Sequence, residues 1–329
     1  MSYELVWFKR DLRWQDHAAL AQAAQHGPVR CIYVVEPELW LQPDAALQHF
    51  EFVRESLQAL DDALRLQGGC VEVHMGELPD VLSRIWQAAP FRQLHAHQET
   101  GNGFTYARDL RVGAWCQAHN VGWHEYPQFG VVRVLKNRNL WQPAWERHMA
   151  EPVQDVGDLQ FWQPLEHDAS HRDMPEPWRG AWCTPSQMQA PSHLQHNPPL
   201  RQRGGRPLAL DTLHSFLHAR SLGYRGGISS PLSAPDACSR LSAYLALGCI
   251  SMREVVQHTR AHIAQLPPQA SRHRAGLTAF ISRLYWHCHF IQKLESEPAI
   301  EWQNMHRGYD GLREHDFNEA HFEALKAAR

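Results

Sequence analysis

Near its start the chain reads LVWFKRDLR at residues 5–13. The first four of these residues form a short apolar run typical of a buried strand, and charged residues follow directly. Further strand-like runs occur at 31–35, 70–74 and 93–96, and a weaker fifth lies at 121–124. The opening run is therefore the first member of a series of strands.

Helical patterns lie between these strand-like runs. The clearest ends at Gly68-Gly69 and places apolar residues on one stripe at spacings of three and four: Phe50, Val53, Leu57, Leu60 and Leu64. Others cover roughly residues 16–26, 77–88 and 103–119. Strands that alternate with helices predict a doubly wound, parallel α/β sheet with right-handed crossovers, which we place at residues 1–130 as a Rossmann-like domain.

The pattern changes after residue 130. Residues 131–204 are rich in Pro, Gln, His and Trp, as in the string Pro175-Glu176-Pro177-Trp178, and predict a long ordered inter-domain linker. From residue 205 the apolar periodicity is helical, which predicts an all-α domain at residues 205–329. Its four helices carry the stripes Leu213/Phe216/Leu217, Leu241/Tyr244/Leu245, Val255/Val256/Ile263 and Leu277/Phe280/Ile281/Leu284/Cys288/Ile291/Leu294.

Composition excludes several classes of protein. The 329 residues are 43% hydrophobic and 20% charged, as in a soluble globular protein. No apolar run approaches the roughly 18 residues of a membrane span, and no signal peptide is visible, so we expect a cytoplasmic protein without a membrane partner. Seven scattered cysteines without a CxxC pair predict no disulfide framework, and the adjacent residues of His287-Cys288-His289 point in different directions, so no metal site is expected.

The net charge of −3 conceals an asymmetry. Residues 201–300 carry 12 Lys and Arg against 5 Asp and Glu, whereas residues 1–200 carry 16 against 24. A basic segment within a mildly acidic protein is what a polyanion-binding face produces, although solvated basic faces are also common.

The segment around residue 239 suits a phosphate group. Pro235 and Asp236 precede a predicted helix whose first turn carries Ser239 and Ser242. Free N–H groups at a helix start, hydroxyl donors and the positive end of the helix dipole all favour a phosphate there. The alternative is that Asp236 only caps the helix and the serines are solvated.

The last predicted helix carries a second chemical pattern. Spacings of three and four place Ser282, Arg283, Trp286 and Phe290 on one face. Aromatic rings beside an arginine suit a base that has been flipped out of a nucleic-acid strand. The alternative is that Trp286 is a core residue.

Three strings together resemble the cryptochrome/DNA photolyase family. They are 5–13 with Asp16 and Leu20, 238–251, and 280–287, and the resemblance covers almost the whole chain. It implies a deoxyribodipyrimidine photolyase, a carbon–carbon lyase that splits pyrimidine dimers in damaged DNA by electron transfer from excited reduced FAD. A cryptochrome-like blue-light sensor is the alternative within the family, and a generic nucleotide-binding α/β protein is the alternative outside it.

The resemblance also implies roles for individual residues. The FAD-binding set is Tyr224, Cys238, Ser239, Arg240, Leu241, Ser242 and His287, and the set that contacts the DNA lesion is Arg283, Trp286 and Phe290. Cys238 stands where relatives often have threonine, so its contact is expected through the backbone. Arg283 replaces a glutamate of many photolyases and His287 replaces an arginine; because arginine cannot accept a hydrogen bond from a base, we expect a divergent lesion specificity.

A fourth string lies at the edge of the first domain. Glu99-Thr100-Gly101-Asn102, with Tyr106, Arg108 and Asp109, follows a strand of the sheet, and ligands bind beyond the carboxyl ends of such strands. In the family this domain often holds an antenna pigment, a folate or a deazaflavin. The alternative is that Glu99 and Arg108 are surface charges.

In relatives a further helical block follows the tryptophan-bearing helix and supplies the walls around the flavin ring. This sequence reads FEALKAAR at residues 322–329 where that block is due to begin. We therefore expect a truncated, monomeric family member whose FAD-binding domain is incomplete and leaves an apolar face uncovered. A non-catalytic remnant in which only the α/β domain folds well is the third alternative.

Overall fold

A computed structural model describes residues 2–163 and 182–327. In it, five parallel strands form one sheet in the order β3-β2-β1-β4-β5. The strands are β1 Glu4–Phe8, β2 Val29–Val35, β3 Val71–Met75, β4 Gln93–His97 and β5 Gly122–Tyr126. All five lie where the sequence predicted them. The central strand β1 carries the opening apolar run, and it is buried on both faces.

Helices cover both faces of this sheet. They are α1 Ala18–His26, the one-turn α2 Pro37–Trp40, α3 Leu47–Arg65, α4 Leu78–Ala88 and α5 Gly103–Ala118. Leu5 and Trp7 share a core with α4 and α5, whereas Val6 and Phe8 share the opposite core with α1 and α3. Because successive side chains of a strand point to opposite faces, a strand buried on both sides is apolar throughout. The doubly wound prediction is confirmed.

The predicted linker contains one helix that the sequence analysis missed. Helix α6 spans Trp141–Ala150, and it buries Trp141, Trp145 and Met149, which follow one another at a spacing of four. These side chains share a core with the helices that follow residue 205. The string Pro175-Glu176-Pro177-Trp178 lies outside the described residues.

The remaining helices of the described chain lie after residue 205, and all except the last, which has no buried residue, pack as an all-α layer. They are α7 Arg206–His218, α8 Tyr224–Gly227, α9 Ala234–Ala237, α10 Ser242–Ala246, α11 Met252–Gln265, α12 Ser271–Ser296 and α13 Glu319–Lys326. Helices α7, α10, α11 and α12 correspond to the four predicted helical stripes. The predicted first turn at Ser239 is wrong, because α9 ends at Ala237 and Arg240 adopts a left-handed φ of 60°, so Ser239 lies in a loop and Asp236 lies inside α9.

The sheet and the all-α layer meet directly behind β1. The N–H of Leu12 donates to the carbonyl oxygen of Leu247 at 3.0 Å, and Nη1 of Arg13 donates to that of Gly248 at 3.0 Å. This contact brings the end of α10 to the carboxyl edge of the sheet.

Large apolar side chains are exposed along residues 302–325: Trp302, Met305, Tyr309, Leu312, Phe317, Phe322 and Leu325. All seven cysteines are free thiols in this structure. Within the described ranges, no helix combines the length and the apolarity needed to cross a bilayer.

Candidate functional site: a cavity at the sheet edge and an aromatic helix face

A cavity of about 670 Å³ lies beyond the carboxyl ends of β1, β2 and β4. The chain runs from β1 to β2 on one side and returns to β4 on the other, so the cavity occupies the point where the strand order reverses, the usual ligand position of an open α/β sheet. Phe8, Tyr33 and Glu36 line it from the sheet, and Arg240 and Ser242 line it from the all-α layer. It is therefore a ligand-sized space between the two layers.

A buried ion network forms one wall of the cavity. Arg108 donates to Glu36 at 3.0 Å, to Glu99 at 2.5 Å and to Asp109 at 2.9 Å, and Nζ of Lys9 lies 3.1 Å from Asp109. The side chains of Arg108 and Glu99 are only 3% and 5% exposed, so the alternative that they are surface charges is wrong. Glu99 and Arg108, from the string singled out in the sequence, thus form part of the cavity wall.

The carboxylates of this network differ in their protonation. Burial raises the pKa of Glu36 to about 7, although Arg108 acts in the opposite direction. Burial also opposes ionisation of Glu99, but the nearby cations, Arg108 first, bring its pKa down to about 2. The cavity wall therefore holds one carboxylate that stays charged and one that titrates near neutral pH.

The loop at 238–241, between α9 and α10, contains most of the predicted FAD-binding residues. Arg220 donates to the carbonyl oxygens of Cys238 and Ser239, and Gln202 donates to that of Arg240 at 2.8 Å. These hydrogen bonds fix the backbone of the loop. The side chain of Arg240 is exposed and lines the cavity. Leu241 is instead buried in the core.

Two further predicted residues lie in this part of the molecule. Ser242 is exposed at the first position of α10, and within the described chain no side chain caps this helix. Tyr224 is 6% exposed and packs edge-on against Phe216 and Phe280, with ring centroids 5.5 and 6.0 Å apart. Tyr224 thus helps to hold α7 and α12 together behind the loop.

The outer face of α12 matches the sequence prediction. Ser282, Arg283, Trp286 and Phe290 are all exposed. Trp286 is 47% exposed and Phe290 50%, and their ring centroids lie 5.7 Å apart. The alternative that Trp286 is a core residue is therefore wrong, and the helix presents a pair of aromatic rings with an arginine one turn away.

His287 lies between this face and the core. Its ring lies 5.6 Å from that of Phe129, and burial lowers its pKa. On another side of α12, Trp141 and Tyr285 pack with their ring centroids 4.8 Å apart.

The sequence analysis missed a buried polar cluster at the end of β1. Oδ2 of Asp11 accepts hydrogen bonds from Nε2 of His17 at 2.9 Å and from Nδ1 of His97 at 2.7 Å. Nδ1 of His17 accepts from the N–H of Leu20 at 3.0 Å and so caps α1, which fixes the ring with its proton on Nε2. Ligand atoms of these three residues lie within 4.8 Å of one another, but each already serves in a hydrogen bond. The cluster therefore joins β1, α1 and β4.

Comparison with known proteins agrees with this architecture. Residues 4–136 match the family model described as DNA photolyase. Cryptochrome-2 of Gallus gallus is 25% identical over 315 residues, which cover 90% of this chain and 52% of the relative. A deoxyribodipyrimidine photo-lyase of Streptomyces griseus is 23% identical over 335 residues, which cover 98% of this chain and 67% of the relative.

A solved structure shares the fold along nearly the whole chain. It is an archaeal photolyase from Sulfolobus tokodaii with two FAD molecules, and it superposes with a TM-score of 0.69 at 22% identity, covering 98% of this chain and 66% of that one. The chain spans about half the length of the Gallus gallus protein and about two thirds of the other two.

Proposed function

We propose that this chain, which belongs to the cryptochrome/photolyase family, is a light-dependent DNA repair flavoprotein of the deoxyribodipyrimidine photolyase type. The observation that supports this function best is the exposed face of α12, where Trp286 and Phe290 stand side by side with Arg283 one turn away. Exposing two adjacent aromatic rings to water has a free-energy cost unless a ligand covers them, and unstacked bases are ligands of the right shape.

The residues of the 238–242 segment fit the phosphate end of FAD. Ser239 and Ser242 supply hydroxyl groups, Arg240 supplies an exposed guanidinium, and α10 begins without a side-chain cap. In our proposal these three residues bind the diphosphate, while Cys238 and Leu241 hold the loop in place and Tyr224 supports it from behind. Bound FAD, when reduced and excited by light, supplies the electron that opens the pyrimidine dimer.

The protein's own part in repair is to bind and orient the lesion. Trp286 and Phe290 would stack on the extruded pyrimidines, and Arg283 would pair with a neighbouring phosphate. Because arginine only donates hydrogen bonds, Arg283 would not replace the glutamate that relatives use to contact the base. His287, with its pKa lowered by burial, would be a neutral imidazole beneath the lesion rather than a cation.

The cavity at the sheet edge is the proposed position of an antenna pigment. Its size, its aromatic walls at Phe8 and Tyr33 and its cations at Arg10 and Arg108 suit a planar, anionic chromophore such as a folate or a deazaflavin. The Sulfolobus tokodaii relative was described with a second FAD in connection with light harvesting, so a flavin is a third candidate for the same space.

Binding of a damaged oligonucleotide in the dark tests the repair function. The purified chain, saturated with FAD that has been reduced with dithionite under anaerobic conditions, is expected to prefer an oligonucleotide that contains one thymine dimer over the undamaged strand, and blue light is expected to restore the thymines. Trp286→Ala should reduce the ratio of the affinities for the damaged and undamaged strands about tenfold or more, because stacking contributes ~1–3 kcal/mol per base. Trp302→Ala, which changes a tryptophan that is 77% exposed elsewhere, is the matched control.

Equal affinity for damaged and undamaged strands in the wild-type chain would reject the repair proposal. The second candidate is a cryptochrome-like light sensor, and the replacements at Arg283 and His287 are the observations that support it. A light-induced change in the flavin spectrum without repair would then favour this candidate. Absence of flavin binding in a separate fluorescence titration would leave the non-catalytic alternative. A cytoplasmic, monomeric state and the domain bounds at residues 130 and 204 remain predictions.

A further inference from the structure

Two neighbouring helices each carry a pair of histidines at a spacing of four. His214 and His218 lie on α7, and His258 and His262 lie on α11. The ring centroids of His214 and His218 are 4.3 Å apart, and those of His218 and His262 are 4.5 Å apart across the helix–helix contact. Three imidazoles from two helices therefore form one continuous row.

The rings of the row differ in exposure. His214 and His218 are exposed to solvent. His262 is half-buried, and its Nε2 is a buried atom that has no hydrogen-bond partner among the described residues. Leaving such an atom unpaired costs ~1–3 kcal/mol, which a ligand at this position would recover.

We propose that His214, His218 and His262 form a binding site for a divalent transition-metal ion of the Zn²⁺, Ni²⁺ and Cu²⁺ class. Two histidines at positions i and i+4 of a helix present their rings on one face and chelate such ions, and a third imidazole from a neighbouring helix completes a three-nitrogen set with a fourth position open to water. Imidazole is the ligand that these ions prefer in proteins.

Each of the three rings would contribute one nitrogen lone pair to the ion. A neutral imidazole with a free lone pair is the form that binds a metal ion. Coordination at ~2.0–2.1 Å requires the exposed rings of His214 and His218 to turn toward His262.

A fourth histidine, His273, supports the row from its inner end. His273 is buried, and its Nε2 lies 2.7 Å from both Oγ of Ser221 and the carbonyl oxygen of Leu217. These bonds fix the ring against His262 at a centroid distance of 5.4 Å. His273 therefore closes the inner end of the row and does not serve as a ligand.

The site would clamp the end of α7 to the end of α11. His218 is the last residue of α7 and His262 lies in the last turn of α11. Arg220, which holds the carbonyl groups of the 238–241 loop, follows His218 by two residues. Metal binding would thus stabilise the part of the all-α layer that supports this loop.

Titration of the chelator-treated full chain with Zn²⁺ tests the proposal. We expect one ion per chain, a rise in melting temperature, and, with Co²⁺ as a spectroscopic probe, the visible absorption of a four-coordinate site. His214→Ala and His218→Ala each remove an exposed side chain. Loss of a residue that only supports a metal ligand lowers affinity ~10–100-fold, so loss of a ligand itself should weaken Zn²⁺ binding by at least that much.

Two controls make the test specific. His315→Ala removes an exposed histidine far along the chain and should leave Zn²⁺ affinity unchanged. His258→Ala removes the other member of the α11 pair, which makes no ring contact with the row within the described residues, and it should also have no effect. Undetectable binding by the wild-type chain, or a loss of affinity in His258→Ala with none in His214→Ala, would overturn the proposal.

Discussion

Gly248 lies so close to Arg10 that a Cβ atom built on the glycine would stand 2.4 Å from the Arg10 carbonyl oxygen. The φ angle of Gly248 is 63°, in the left-handed region that favours glycine. The carbonyl oxygen of the same residue accepts a hydrogen bond from Arg13. The join between the sheet and the all-α layer therefore depends on the absence of a side chain at this position.

Gly248→Ala is expected to lower the free energy of unfolding by more than about 2 kcal/mol, because it adds a backbone clash to the strain of a left-handed residue. Chemical denaturation followed by circular dichroism measures this change. Gly68→Ala is the matched control, since Gly68 has a φ of 87° but nothing within 4 Å of its built Cβ, so it isolates the strain. A loss no larger than that of Gly68→Ala would contradict the close approach.

Arg108→Gln is expected to destabilise the protein by about 3–5 kcal/mol, because it leaves the carboxylates of Glu36, Glu99 and Asp109 buried without their common cation. Denaturant unfolding at pH 7.5 measures the loss. Arg111→Gln removes a half-exposed arginine of the same helix that pairs loosely with Glu77 at 3.8 Å, and it should change stability by less than about 0.5 kcal/mol. Similar losses of unfolding free energy in the two variants would show that the network is solvated.

The elements of the fold could be predicted because their signals are local. The strands β1 and β2 are short, mainly apolar runs, and the stripe from Phe50 to Leu64 specifies α3 by its spacing alone. The exposed face of α12 could be predicted for the same reason, since Arg283, Trp286 and Phe290 are related by helical geometry. Helix α6 carried a usable signal in the spacing of Trp141 and Trp145, which the proline-rich surroundings obscured.

The parts that could not be predicted depend on contacts distant in sequence. Asp11 and His97 meet although 86 residues separate them, and no periodic pattern marks either one. The helix expected at Ser239 is broken at Arg240, whose carbonyl oxygen is held by Gln202 and whose preceding loop is held by Arg220. Tertiary hydrogen bonds outweigh local helix propensity there.

Acid should destabilise the protein through His97. Burial, and then the neighbouring His17, lowers the pKa of His97 to about 3, so between that value and the ordinary value of about 6.5 the unfolded chain binds a proton that the folded chain does not. The contribution of this residue to the free energy of unfolding is therefore fully present above pH 6.5. It falls as the pH drops toward 3, by on the order of 1 kcal/mol per pH unit.

The variant His97→Asn tests this source of acid sensitivity. Its amide N–H still donates to Asp11 but does not titrate, so the slope of unfolding free energy against pH should flatten between pH 6.5 and 4 relative to the wild type. His315→Asn, at an exposed position, should leave the slope unchanged. If His97→Asn retained the full wild-type slope, the buried histidine would not be its cause.

Arg220→Lys should weaken FAD binding more than it weakens the fold. The guanidinium donates to the carbonyl oxygens of Thr212, Cys238 and Ser239 and to Oγ of Ser215, and a single ammonium group cannot reach these four acceptors at once. Because the 238–241 loop would then lose its shape, we expect the dissociation constant for FAD to rise by about tenfold, or ~1.4 kcal/mol. The melting temperature should fall by only a few degrees.

Flavin fluorescence titration measures the affinity, and Arg225→Lys is the matched control because Arg225 is an exposed arginine of the neighbouring helix α8. Unchanged FAD affinity in Arg220→Lys, in a chain that binds FAD, would separate the loop from the cofactor and place the flavin phosphates elsewhere. A loss of affinity in Arg220→Lys and not in Arg225→Lys would connect the geometry of Cys238 and Ser239 to the binding of the cofactor, since Arg220 donates to both of their carbonyl groups.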